Sequence, residues 1–229
     1  MNKDDFILDL PEWNYDSTEL GKILEDLRPN FRLKNLPWRA YNIDENTSEE
    51  ELHEMWNKTH AVVIQYGEHM IADKTKSHLS VNLLDYKIIR DLAERINFDK
   101  PISPYSVDIN WYKSEDFYFE PHVDYYAAST MIFPITPLDN FQPIDFYDRS
   151  KVNYVEGETF GFDGVLTDND IIYTHHYTPG QGAIFNSHWP HGIRRLGAKA
   201  VHRAGLRFRT DEKFSSIMKK YKEGRLFKW

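Results

Sequence analysis

His122-Val123-Asp124 sets an imidazole and a carboxylate two residues apart. On an extended segment, residues i and i+2 point to the same side, so the two groups can converge on one cation. Alone the pair is a weak signal, because 10 His and 36 acidic residues make one such spacing expected by chance. A second element is the run from Gly182 to Gly192, where a strand pattern, Gly182-Ala183-Ile184-Phe185, leads into a turn carrying His188 and His191. His191 stands beyond the strand and directly before Gly192, which permits a close approach, and it is preferred over His188 as a ligand. Two imidazoles and one carboxylate form the facial set that leaves three positions of Fe(II) open. His175, His176 and His202 read as surface or supporting residues.

Twelve residues beyond His191 comes Arg203-Ala204-Gly205-Leu206-Arg207-Phe208-Arg209. Ala204, Leu206 and Phe208 suit a core face, which puts Arg203, Gly205, Arg207 and Arg209 on the other. An arginine on the cavity side of a strand is costly unless it meets an anion. A dicarboxylate spanning metal and Arg203 meets that need through a bidentate fork; a protein carboxylate paired with Arg203 meets it equally well. Earlier, Val107, Ile109 and Trp111 form a core face, with Asp108, Asn110 and Tyr112 opposite. The Tyr112 hydroxyl can donate to a bound acid, although a packed or surface tyrosine is the commoner outcome.

The order Asn110-Trp111-Tyr112, His122-x-Asp124, Pro190-His191-Gly192 and Arg203 resembles the iron(II)/2-oxoglutarate-dependent oxygenases, and within them the prolyl-hydroxylase-like branch. The resemblance covers roughly residues 102 to 210 and leaves residues 1 to 100 unrecognised. It implies a double-stranded β-helix, or jelly roll, in which His122, Asp124 and His191 bind Fe(II), Arg203 holds the far carboxylate of 2-oxoglutarate and Tyr112 assists. It implies hydroxylation of an amino-acid, peptidyl or small-molecule substrate by dioxygen, release of succinate and CO2, and ascorbate as a reductant. Many members have Ser or Thr two residues after the arginine. This chain has Gly205, so the expectation is that Tyr112 reaches over the glycine and supplies the missing hydrogen bond. Asp124 argues against halogenation, since halogenating members lack that carboxylate. Two rivals are a cupin-like metalloenzyme that does not use 2-oxoglutarate and a jelly-roll binding module without turnover.

What must position these residues is a chain of 229 residues with 41% hydrophobic and 28% charged content, enough for a sizeable core. The absence of cysteine excludes disulfides, Cys-ligated metals and thiol catalysis, and it suits a reducing cytoplasm. No apolar run is long enough to span a bilayer, and the polar, acidic start, Met1-Asn2-Lys3-Asp4-Asp5, is unlike a targeting peptide. The net charge of −8 argues against phosphate-driven nucleic-acid binding. Charge is uneven: from Arg194 to Trp229 there are 12 basic and 3 acidic residues. That stretch reads as a solvated face folded on an acidic body, or as an anion site.

Periodicity predicts helices over Asp16–Leu27, Thr47–Trp56, Leu83–Ile96 and Asp211–Glu223. Strands are predicted over Ser106–Tyr112, Ala127–Ile135, Ile171–Tyr177, Gly182–His188 and Val201–Arg209. The expectation is one α+β domain with a mainly β core: a helical front portion over 1–101, a jelly roll over 102–210 and a C-terminal helix over 211–229. The aromatic segment from Leu138 to Tyr177 reads either as a lid over a substrate or as packing.

Overall fold

The computed structural model describes residues 2–27, 62–65, 83–102, 106–112, 119–124, 127–136, 141–154, 162–194 and 203–228. Its centre is the strand Ser-Thr-Met-Ile-Phe-Pro-Ile-Thr, β5 (Ser129–Thr136), which is buried from Ser129 through Ile135. A strand apolar on both faces must be covered on both. Met131, Phe133 and Ile135 turn towards the helices, while Ile132 belongs to the aromatic cluster between the sheets.

The remaining strands are β1 (Ile7–Asn14), β2 (Val62–Gln65), β3 (Val107–Tyr112), β4 (Phe119–His122) and β6 (Ile144–Tyr147). A short hairpin, β7 (Asn153–Tyr154) with β8 (Phe162–Asp163), precedes β9 (Ile171–His175), β10 (Gln181–Asn186), β11 (His191–Ile193) and β12 (Arg203–Thr210). One sheet has the order β1-β10-β5-β12-β3-β2, the other β4-β11-β6-β9. All their pairings are antiparallel. From β3 onward the chain alternates between the sheets, with one hairpin, β6 to β9, inside the smaller. That is the double-stranded β-helix the sequence predicted, an α+β fold with a mainly β core and flanking helices.

The helices cover the outer face of the larger sheet. α1 (Ser17–Leu27) buries Leu20, Ile23 and Leu24, and the Asp16 carboxylate caps it by accepting from the amides of Thr18 (2.9 Å) and Glu19 (3.1 Å). The predicted helix over Leu83–Ile96 is divided. A tight turn at Leu83–Asp85 precedes α2 (Lys87–Arg95). The tighter turn resets the helical phase, so Leu83, Ile89, Leu92 and Ile96 form the buried seam while Leu84 and Ile88 pack at its margin. α3 (Phe214–Lys222) buries Phe214, Ile217 and Met218, as the spacing predicted. Ahead of it, the Glu212 carboxylate accepts from the Asp99 amide and Ser216 hydroxyl and pairs with Lys220, which also binds Asp99. That network fixes α3 to the end of the sheet.

Two expectations change. The front portion is not only helical, since β1 and β2 are the edge strands of the larger sheet. Their alternation was masked at Leu10-Pro11, where a proline argues against a strand; it is tolerated because edge strands have a free side. In the Leu138–Tyr177 segment, Phe141, Phe146 and Tyr147 are core residues, so this part is packing. The helix predicted over Thr47–Trp56 lies outside the described residues.

Two glycines permit close approaches. At Gly182 a Cβ would stand 2.7 Å from the Phe133 ring, which meets Trp13 edge-on at 4.6 Å. At Gly192 a Cβ would stand 2.8 Å from the Phe119 carbonyl oxygen of β4. Backbone cannot yield as a side chain can. Gly192→Ala should therefore cost about 1–3 kcal/mol of stability, the scale of overpacking, and disturb the β4–β11 pairing. Urea unfolding checks this: a midpoint equal to wild type would show that the two strands part freely.

Candidate metal centre

Register brings the first two residues together. His191 of β11 lies opposite His122 of β4 and, on its other side, opposite Phe146 of β6. Asp124 follows β4, and its amide donates to the Ser187 carbonyl at 2.8 Å, fastening the end of β4 to the turn after β10. Asp124 Oδ1 is 3.7 Å from His122 Nε2, and Oδ2 is 3.7 Å from His191 Nε2. One ligand atom from each residue lies within 4.8 Å of the other two. Donors bound about 2.0–2.2 Å from a common ion stand roughly 3–4 Å apart, so the separations suit one cation. His188 is not in this group, although it carries the same side chain three residues away.

The tautomers are fixed by the backbone. His122 Nδ1 lies 2.8 Å from the Glu120 carbonyl oxygen, and His191 Nδ1 lies 2.8 Å from that of Trp189. A carbonyl only accepts, so each Nδ1 carries the proton and each Nε2 presents a lone pair towards Asp124. Such outer hydrogen bonds orient metal-binding imidazoles. All three residues are buried. Phe119 packs 4.4 Å from the His122 ring and Phe185 4.8 Å from that of His191, centre to centre.

Burial keeps both imidazoles neutral. It is the largest influence lowering His122 to about 4, followed by the neighbouring His191; Asp124 and the Glu120 carbonyl pull the other way. Burial also lowers His191, against Asp124 and the Trp189 carbonyl. Arg207 disfavours protonation of both rings. The donor set is thus ready for a divalent ion at neutral pH, where metal competes with few protons. Two nitrogens and one carboxylate, with no sulfur, match Fe(II).

The arginine face is divided by function. Arg207 forks onto the fully buried Asp108, Nε to Oδ1 at 2.7 Å and Nη2 to Oδ2 at 3.0 Å, and Arg209 reaches the same carboxylate at 2.9 Å. Sequence reading put these residues on the inward face but missed that Asp108 draws two arginines; their shared parity across two strands was the available signal. Arg203 lies opposite Tyr112 in the β12–β3 register. The side chains of Arg203 and Tyr112 lie outside the described residues. The space over Gly205 holds Phe141, whose ring edge would meet a Cβ there at 3.2 Å, so the expected opening for a tyrosine is filled by a different aromatic residue.

No family model matches the chain, and no curated protein matches it. Among solved structures, it is similar to the non-heme alpha ketoglutarate dependent epimerase SnoN from nogalamycin biosynthesis. There the TM-score is 0.45 and the identity 11%, covering 89% of this chain and 78% of that one. A second is a 2OG-Fe(II) oxygenase family oxidoreductase from Burkholderia pseudomallei, with TM-score 0.38 and 14% identity over 90% of this chain and 85% of that one.

His122→Ala, Asp124→Ala and His191→Ala should each abolish stoichiometric Fe(II) binding, while His188→Ala keeps it. Metal analysis after anaerobic loading decides, and unchanged iron in the three variants would remove the centre. A pH dependence follows as well. Because His122 is depressed from 6.5 to about 4, the unfolded chain takes up a proton that the folded chain refuses between those values. Stability should fall as pH drops through that window, by up to about 3 kcal/mol from this residue. Urea unfolding of wild type and His122→Gln from pH 7 to 4 reads the difference, and parallel slopes would contradict it.

Proposed function

We propose that the chain is an Fe(II)- and 2-oxoglutarate-dependent dioxygenase that hydroxylates a small-molecule, amino-acid or peptidyl substrate. The observation that carries this reading is the buried convergence of His122, Asp124 and His191, with both Nδ1 protons committed to backbone carbonyls. Fe(II), when bound, supplies dioxygen chemistry coupled to oxidative decarboxylation of 2-oxoglutarate to succinate and CO2, and ascorbate would serve as an external reductant.

The chain's own residues do the rest. His122, Asp124 and His191 hold the ion from one side and leave its other positions for cosubstrate and dioxygen. Phe119 and Phe185, packed on the two imidazoles, keep water from them. Arg203 receives the far carboxylate of 2-oxoglutarate, and Tyr112, opposite it in the register, adds a hydrogen bond from beside Arg203 rather than over Gly205, where Phe141 sits. What supports these roles is register: Arg203 pairs with a tyrosine position on β3, whereas Arg207 pairs with Asp108 and already has a carboxylate. The order of the motifs, similar to the prolyl-hydroxylase-like branch, supports an amino-acid or peptidyl substrate. The Asp124 carboxylate supports hydroxylation over halogenation, and the lack of cysteine fits a reducing cytoplasm. Among the described residues no helix is long and apolar enough to cross a membrane.

Anaerobic titration with Fe(II) and 2-oxoglutarate should give a visible metal-to-ligand band in the wild type. No band with iron bound would leave a metalloenzyme that does not use 2-oxoglutarate. Arg203→Ala should keep its iron but lose about 2–5 kcal/mol of cosubstrate affinity, the cost of truncating one partner of a buried charge pair. Tyr112→Phe should raise the dissociation constant about tenfold, as expected for one hydrogen bond to a charged group. Wild-type affinity in either variant would take that residue out of the cosubstrate site.

A further inference from the structure

Strand pairing holds the two histidines of the centre, but Asp124 stands two residues past the end of β4. Its main chain is fastened to Ser187, whose carbonyl accepts from the Asp124 amide at 2.8 Å. Ser187 also lies outside a strand. It begins the crossing from β10 in the larger sheet to β11 in the smaller, and that crossing ends on His191. The far half of the crossing is tied to β6. There the Tyr147 amide donates to the Pro190 carbonyl at 2.9 Å, and the Trp189 indole donates to the Tyr147 carbonyl at 2.9 Å. What fixes the near half bears directly on Asp124.

The near half is tied twice to the start of β5. The Ser187 amide donates to the Ala128 carbonyl at 3.2 Å, and the Ser187 hydroxyl lies 2.8 Å from that of Thr130. Both side chains are buried, Ser187 completely and Thr130 to within 1%. Hydroxyls at such depth are kept where they have partners. On β5, Met131 and Phe133 turn towards the helices, so Thr130 shares the inward face with Ile132. Valine has nearly the shape of threonine and would pack on that apolar strand with no polar atom to satisfy. The hydroxyl of Thr130 is matched to Ser187.

We propose that Thr130 is a positioning residue for the metal centre: through the Ser187 hydroxyl it sets where the Asp124 carboxylate stands between His122 and His191. The proposal rests on the reading of that group as a metal site. A line of bonds runs from β5, which is paired on both edges by β10 and β12, through Ser187 to the Asp124 main chain. It gives a ligand beyond the end of its strand the fixity that register gives the two imidazoles, each 3.7 Å from an Asp124 oxygen. Hydrogen bonds behind a metal ligand tune affinity by about 10–100-fold.

Co(II) in place of Fe(II) tests this on the full chain, because its visible bands report the number and arrangement of ligands. Thr130→Val removes the hydroxyl and should weaken Co(II) binding about tenfold and alter the bands. Thr130→Ser keeps the hydroxyl and should bind as wild type does. Thr130→Val also strands the Ser187 hydroxyl and so lowers stability. The double variant Thr130→Val/Ser187→Ala removes both hydroxyls and should recover much of the urea midpoint. Its Co(II) affinity should nevertheless stay about tenfold low, since the tie is still missing. Affinity that returns together with stability overturns the proposal. So does wild-type affinity with an unchanged spectrum in Thr130→Val, or an equal loss in Thr130→Ser. Wild-type protein that binds no Co(II) removes the metal reading and the proposal with it, whereas bound Co(II) with unaffected variants removes the tie alone.

Discussion

His122 and His191 face each other across a single strand pair, and everything else at this end of the molecule serves that pairing. Two imidazoles side by side in an apolar setting repel when protonated and waste hydrogen-bonding capacity when neutral. The fold answers the second cost with a carbonyl for each Nδ1, and burial answers the first by keeping both rings neutral. One ligand atom each from His122, Asp124 and His191 lies within 4.8 Å of the other two, a spacing that one cation can bridge.

The pairing depends on distance as much as on chemistry. β11 is only three residues long, and it lies against β4 because Gly192 has no side chain to hold them apart. On the opposite wall the larger sheet is held by the apolar stack of Trp13, Phe133 and Phe208. The backbone bond from Asp124 to Ser187 joins the two sheets at this end, and that from Ser187 to Ala128 ties the turn after β10 to the start of β5. A rigid scaffold thus carries His122, Asp124 and His191 on or directly beside strands, where positions are better fixed than on loops.

Much of this was legible in the residues. The His-x-Asp spacing, the histidine before a glycine and the alternation along β12 each translate into geometry through the two-residue period of a strand. His191 was preferred over His188 because it stands beyond the strand pattern and directly before Gly192. Less legible were the short strands β4, β6 and β11, which are too brief for periodicity to stand out, and β1, where Pro11 interrupts the pattern. The break of the 83–96 helix was hidden because its apolar residues recur every four positions while the chain takes a tighter turn first. Asp108 was placed on the right face, but its double engagement is set by a pairing between segments about a hundred residues apart, and no local pattern reports such a register.

The edge position of β1 has a consequence for handling the protein. β1 runs antiparallel along β10 and covers its outer row of N–H and C=O groups. A chain trimmed before Asn14 would keep His122, Asp124 and His191 but present β10 as a bare template for another molecule's strand. β1 thus shields β10 within the chain, and protein that loses it to proteolysis should be recovered as sticky assemblies rather than as inactive monomers.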